Sequence, residues 1–373
     1  MRKTSALTHY LRSKCFTKAY HKILCPKFPV FLKKYLSLPM LTRLKDIGLL
    51  CGTDFTPLFA SNFYYSRFDH SVGVALIIWN FTHNKAQTLA GLFHDVSTPA
   101  FSHVSDFRKG DALTQTATEE DNTSIIYSDP KLKNLLEQDG VTLKEVENYH
   151  LYPVADNEIP GLSADRLEYM FPSGAALAGT GCLTSTWNLS EIRDLYNDIV
   201  LCKNENGQCE LGFATQEAAA QYTVRFNDIG HLLQTHEDKM VMQLLAHTME
   251  LAVNCGVISE DDFYKMSEKQ IMDRLKNFSK TKKSLNSPEG ELARHFTAYT
   301  TMTKVEHTDS PLENCFCENV KVKQRYITPL AVTGEQINGL YQAKRITELN
   351  EKARKSVQDF LAYDDTPWGC VTL

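Results

Sequence analysis

The sequence has 10 cysteines among 373 residues, yet no C-x-x-C pair. Cys15, Cys25, Cys51, Cys182, Cys202, Cys209, Cys255, Cys315, Cys317 and Cys370 are scattered. A zinc ribbon therefore lacks its ligands, and a secreted disulfide scaffold is not expected in so long a chain. Reduced thiols in a cytoplasmic protein fit this usage best. Cys315-Phe316-Cys317, the closest pair, reads as ordinary thiols on a strand or loop. No apolar run approaches the roughly 20 residues that cross a bilayer, so no membrane partner is expected. No G-x-G-x-x-G follows a strand pattern and no Gly-Lys-Ser/Thr is present, which excludes Rossmann and P-loop phosphate cradles. Gly174, Gly179 and Gly181 instead read as a flexible link. Internal repeats are absent too. Acidic residues are missing before Asp46, while Arg2, Lys3, Arg12, Lys14, Lys18, Lys22, Lys27, Lys33 and Lys34 make the start basic. That start has neither the apolar core nor the small-residue cleavage site of a secretory signal, and it reads as a solvated basic lead-in. The formal net charge is nevertheless −5, so direct nucleic-acid binding is not indicated.

What is present is a sizeable apolar fraction, 43%, enough for a large core. Within it, residues 67 to 106 place polar side chains among apolar ones. His70, His94, His103 and Asp95 lie in such surroundings, and buried polar groups need partners. Val72, Val74, Ala75, Ile77, Ile78 and Trp79 suit a buried helix after His70. A second helix, roughly Lys85 to Asp95, carries Ala86, Leu89, Ala90 and Phe93 at helical spacing and ends on His94-Asp95. Thr98-Pro99 cannot continue it regularly. Antiparallel packing of the two helices would bring His70 close to His94 and Asp95. Imidazole nitrogen and carboxylate oxygen together suit a first-row divalent metal.

The order Arg67-Phe68-Asp69-His70-Ser71, then His94-Asp95, then Phe101-Ser102-His103 resembles the HD-domain metal-dependent phosphohydrolases. The likeness is to the branch that includes deoxynucleoside triphosphate triphosphohydrolases, and it runs from about Leu41 to about Asn277. That family adds an aspartate followed by a basic residue and, four residues on, a tyrosine; Asp165, Arg166 and Tyr169 match it. The resemblance implies that His70, His94, Asp95 and Asp165 hold a divalent ion (Mn, Fe, Mg, Zn, Ni or Co). It implies phosphate contact for Arg67, whose alternative is an ion pair with Asp69 or Asp106. It implies contact with phosphate and sugar for Arg166 and Tyr169, whose alternative is packing and a surface ion pair. A polar residue at Asp46 would face the substrate sugar, or else be a solvated helix residue. Two positions depart from the family: Thr98 stands where many relatives have histidine, and Glu119-Glu120 replaces a His-Glu pair. His103, steered by Asp106, is then the remaining general-acid candidate. Glu120 stays a catalytic candidate, and a solvated acidic run is the other reading of that pair.

Elsewhere, Leu41 to Gly48 reads as one helix, Ser190 to Val200 as an amphipathic helix, and Thr215 to Gly256 as helical. Thr142 to Glu145 and Ser267 to Gln270 are capping boxes. Val320 to Ile327 alternates like a strand, and Ala343 to Leu361 reads as a helix. The expected fold class is mainly α: an HD-domain helical bundle with a small C-terminal α+β appendage. The expected division is a lead-in over 1–40, a helical catalytic domain over 41–280 and the appendage over 281–373. The expected function is hydrolysis of a nucleotide or other phosphoester, possibly release of triphosphate from a deoxynucleoside triphosphate. A catalytically weak sensor or scaffold that binds metal and nucleotide is the alternative. The resemblance also implies a homo-oligomer.

Overall fold

Ser66 starts the central helix, Arg67–Thr82, in a computed structural model that describes residues 6–59, 63–113, 122–177, 187–281, 284 and 286–373. Ser66 Oγ accepts from Asp69 N at 3.1 Å while Ser66 N donates to Asp69 Oδ2 at 3.2 Å. This reciprocal cap satisfies two otherwise orphaned donors. The helix buries Val72, Val74, Ala75, Leu76, Ile77 and Ile78, so it runs through the middle of the bundle. It ends at His83 in a left-handed conformation (φ 51°), and Asn84 then caps the next helix, Lys85–Phe93. The two helices approach closely at Gly91, where a Cβ would lie 2.3 Å from Ile78 Cδ1. This approach fixes the position of His94, which follows directly.

The chain before Pro26 is not peripheral throughout. In the helix Ala6–Leu24, Tyr20, Ile23 and Leu24 are buried while Lys18 and Lys22 stay exposed. Tyr20 Oη donates to Glu168 O at 3.0 Å. The basic residues therefore occupy one face and conceal an apolar face that docks beside the central helix. Leu41 to Gly48 is not one helix either. A single turn, Pro39–Thr42, passes into the 3-10 turn Arg43–Asp46.

The fold is mainly helical with a sizeable sheet part, more than the small appendage expected. The helix Leu189–Asn197 stops before Val200, and β1 (Ile199–Lys203) pairs antiparallel with β2 (Cys209–Phe213) across the polar Asn204–Gln208 turn. β3 (Glu306–Thr308) and β4 (Cys315–Glu318) flank β7 (Trp368–Thr372) in a second sheet. β5 (Leu330–Ile337) and β6 (Leu340–Arg345) pair with each other, and each runs parallel to one strand of the β1–β2 hairpin, so the four strands close into a barrel. Ala343 to Leu361 thus begins as strand, and its helices are Ile346–Leu349 and Glu351–Ala362. Residues 320–327 form no strand. Lys323 N donates to Ala112 O at 3.1 Å and Thr328 N to Pro160 O at 2.9 Å, so the segment is extended but held by loops. Burial does not alternate along it: Val322 and Ile327 are buried, Lys321 and Gln324 exposed, and the rest part-buried.

One expectation about the thiols is overturned. β4–β7 pairing sets Cys317 opposite Cys370, with Cα atoms 4.2 Å apart, and the two form a disulfide. The partner lies 53 residues away in sequence, so no short-range cysteine spacing announced it. Among the described residues no helix is long and apolar enough to cross a membrane.

Candidate metal and phosphate site

Three elements converge on one cavity of about 450 Å³, within the usual range for small-molecule sites. His70 comes from the first turn of the central helix. His94 and Asp95 come from the turn that follows Lys85–Phe93. Asp165 comes from the start of the helix Ala164–Leu177, where Ser163 Oγ accepts from Arg166 N at 3.2 Å. His70 Nε2 lies 3.1 Å from Asp165 Oδ1 and 3.9 Å from Asp95 Oδ2. His94 Nε2 lies 3.6 Å from Asp95 Oδ2 and 3.8 Å from Asp165 Oδ1. All four residues line the cavity.

The far nitrogens of both rings are already committed. His94 Nδ1 donates to Gly91 O at 2.8 Å, and His70 Nδ1 donates to Glu168 Oε2 at 2.5 Å. Both Nε2 atoms therefore point toward the two aspartates, which is the tautomer a metal-binding imidazole needs. Burial alone would lower the His70 pKa, but hydrogen bonds with Asp165 and Glu168 outweigh it and raise it to about 10. Burial would raise Asp95 and Asp165. The charge of Arg67, with His94 and His70, holds Asp95 well below the usual carboxylate range; His70 does the same for Asp165. A cluster with this demand for positive charge, offering two imidazole nitrogens and two carboxylates, fits a divalent cation.

Glu168 is the member that sequence reasoning missed. It is fully buried one helical turn after Asp165, and Tyr65 Oη donates to its other oxygen at 2.5 Å. The three-residue spacing from Asp165 puts both carboxylates on one helix face, and that signal was readable. Gly73 makes the room: a Cβ there would lie 2.2 Å from Glu168 Oε1.

Arg67 pairs with neither Asp69 nor Asp106. Its Nη1 donates to Asp95 Oδ2 at 3.0 Å, its Nε to Ser102 Oγ at 3.1 Å, and Nη2 lies 3.8 Å from Cys51 Sγ. Thr98 Oγ1 donates to Asp95 Oδ1 at 3.0 Å, so the hydroxyl orients the aspartate. His103 lines the cavity, and its Nδ1 lies 2.9 Å from Oδ2 of the fully buried Asp106, while its own ring stays partly exposed to the cavity. Burial lowers the His103 pKa against the pull of Asp106.

Other expected residues sit differently. Asp46 does not reach the cavity: it is exposed at the end of its 3-10 turn. The buried residue of that turn is Leu44, and Arg43 beside it donates from Nη2 to Thr98 O at 2.6 Å and Val96 O at 3.1 Å. Arg166 lines the cavity, but its guanidinium is engaged by the preceding loop. Nε donates to Gly161 O at 2.9 Å, Nη2 to Asn157, and Nη1 lies 3.3 Å from Asp156 Oδ1. Tyr169 lines the cavity beside Arg325. Glu119 and Glu120 lie outside the described residues. Lys323 and Arg325, from the extended 320–327 segment, also line the cavity; as strand-like alternation they gave no hint of a site. The Arg325 charge is felt at both His103 and Tyr169.

No known protein-family profile matches the chain. Over 221 residues it is 23% identical to the uncharacterized protein YdhJ of Bacillus subtilis (strain 168), covering 57% of this chain and 61% of that protein. Among solved structures it resembles a phosphohydrolase from Bacteroides thetaiotaomicron VPI-5482. The TM-score is 0.59 at 14% identity, over 91% of this chain and 94% of that one. The chain shares the fold of that phosphohydrolase. A hypothetical protein from Aquifex aeolicus is similar to the same degree, with a TM-score of 0.58, 14% identity and 92% coverage of each chain.

Proposed function

We propose that the chain is a metal-dependent phosphohydrolase acting on a nucleotide, with hydrolysis of a deoxynucleoside triphosphate to nucleoside and triphosphate as the specific reaction. The observation that carries the reading is the convergence of His70, His94, Asp95 and Asp165 on one cavity, with each Nε2 within 4 Å of both aspartates. A divalent ion held there supplies Lewis acidity, activating a water and polarising a phosphoryl oxygen. The remaining roles fall to the chain's own residues. Arg67 fixes Asp95 and adds positive charge where negative charge develops. His103, its Nδ1 held by Asp106, presents Nε2 to the cavity, where it takes up a proton and passes it to the leaving oxygen. Lys323 and Arg325 bring cations to the same cavity from the C-terminal segment, and Tyr169 offers a ring and hydroxyl for a sugar. The test offers purified protein a nucleotide panel with Mn²⁺, Mg²⁺, Fe²⁺ or Co²⁺. Metal-dependent release of nucleoside or phosphate is expected, and it should vanish in His94→Ala; activity retained by that variant refutes the assignment.

A second reading rests on Thr98. Thr98 is 2% exposed and its hydroxyl is spent on Asp95, so it cannot replace the histidine of the family as a proton donor. A site that binds metal and nucleotide without turnover, as a sensor, follows if His103 alone does not suffice. Calorimetric nucleotide binding with no product over long incubation distinguishes it.

A further inference from the structure

A second set of metal-type side chains lies away from the cavity. His247 belongs to the helix His236–Asn254, and Glu291 and His295 to the helix Pro288–Thr301. One ligand atom from each lies within 4.8 Å of the others. Glu291 and His295 are four residues apart, so they share a helix face. His295 is 4% exposed, and its Nδ1 donates to Glu291 O at 2.9 Å. That bond fixes the tautomer and leaves Nε2 as an acceptor. His247 Nε2 lies 4.0 Å from Glu291 Oε1, beyond hydrogen-bond distance. The two rings are 4.8 Å apart, and Phe316 of β4 packs against both, with centroids at 5.3 and 5.7 Å.

Two imidazoles and a carboxylate thus face one another with an aromatic wall behind them. Glu291 is half exposed on its side chain, 44%, so it can close the remaining ångström at little cost. The contrast with His236, His307 and Asp365 is instructive. There His307 donates from Nδ1 to Asp365 at 2.9 Å and from Nε2 to Glu237 at 3.0 Å, and His236 Nε2 donates to Thr366 O at 2.6 Å. Protons on both His307 nitrogens and on His236 Nε2 are already spent on neighbouring oxygens there.

We propose that His247, Glu291 and His295 form a second, structural site for a borderline divalent cation of the Zn²⁺ class. It would clamp the helix His236–Asn254 to the helix Pro288–Thr301 through two nitrogens and one oxygen. The first of these helices also carries Asp238 and Met242 into the cavity, so the clamp would brace one wall of it. The assignment is independent of the hydrolase reading.

The experiment strips the full chain with a chelator and titrates it with Zn²⁺ by calorimetry, reading the thermal unfolding midpoint in parallel. His94→Ala disables the cavity cluster and should leave one Zn²⁺ equivalent, which still raises the midpoint. Adding His247→Ala or Glu291→Gln should weaken that equivalent by about tenfold or more and abolish the rise. Both positions are part-exposed, so neither substitution opens the core, and the metal-free midpoint verifies folding. No Zn²⁺ uptake by His94→Ala, or uptake that His247→Ala leaves unchanged, overturns the proposal. Loss of hydrolysis in any variant has no bearing on it.

Discussion

Replacing Gly73 by alanine tests whether Glu168 orients His70. In an open helix interior this change stabilises by about 1 kcal/mol, because glycine pays the larger entropy on folding. Here the new methyl carbon would lie 2.2 Å from Glu168 Oε1, 2.6 Å from its Cδ and 2.7 Å from its Cγ. Glu168 has nowhere to retreat: it is fully buried, one oxygen is held by Tyr65 Oη at 2.5 Å and the other by His70 Nδ1 at 2.5 Å. Relief of the clash must break one of these bonds or shift the Ala164–Leu177 helix that carries Asp165. Overpacking costs about 1–3 kcal/mol, and loss of a hydrogen bond to a charged group costs about 1.5–3 kcal/mol. Against the helix gain, the net is a destabilisation of about 1.5–5 kcal/mol. The His70 ring loses its anchor as well, so Mn²⁺ affinity should fall about 10- to 100-fold. Denaturant unfolding and Mn²⁺ calorimetry measure the two effects separately. A Gly73→Ala protein as stable as the wild type, with unchanged Mn²⁺ affinity, would show that Glu168 is neither confined nor needed.

Glu168→Gln keeps the volume and removes the charge, so Mn²⁺ affinity should drop about 10- to 100-fold with little change in far-UV circular dichroism; equal affinity contradicts the orienting role. Reducing the Cys317–Cys370 bond, which closes a separation of 53 residues, should lower stability by roughly 4 kcal/mol on loop entropy. A denaturant midpoint indifferent to reductant argues against it. Asp365 gives a pH signature. Burial would raise its pKa, but His307, Thr366 N and His236 outweigh burial and bring it from an ordinary 3.8 down to about 2. A depressed acid stabilises fully above its unfolded value, and that stability is lost as pH falls from about 3.8 toward about 2. Asp365→Asn should flatten the unfolding free energy across that window, and an unaltered pH profile rules the linkage out.

The legible parts of the chain were those whose cause is local. Thr142 with Glu145 and Ser267 with Gln270 are short-range caps, and each starts a helix as its spacing requires. The buried run after His70 and the periodic run before His94 are local too. They bracket a short turn at His83, so antiparallel packing follows and His70 meets His94. Asp165 could be placed only by resemblance, since it lies 70 positions beyond Asp95 in sequence.

What stayed hidden was set by contacts between distant segments. Nothing near Ile199 shows that its hairpin will find β5 and β6 more than a hundred residues later, and nothing near Cys317 points to Cys370. The 320–327 stretch shows the ambiguity most sharply. Alternation records only that successive side chains face opposite ways, and an extended segment lying over a cavity alternates as a strand does. Val322, Lys323 and Arg325 all line the cavity, while Ile327 is fully buried. Lys323 and Arg325 are therefore the part of this segment that a bound anion would meet. In such a stretch the informative question is whether a partner strand exists to use the backbone donors. Here Lys323 N and Thr328 N go to the loop carbonyls of Ala112 and Pro160, which frees the segment from any sheet and leaves it spanning the site.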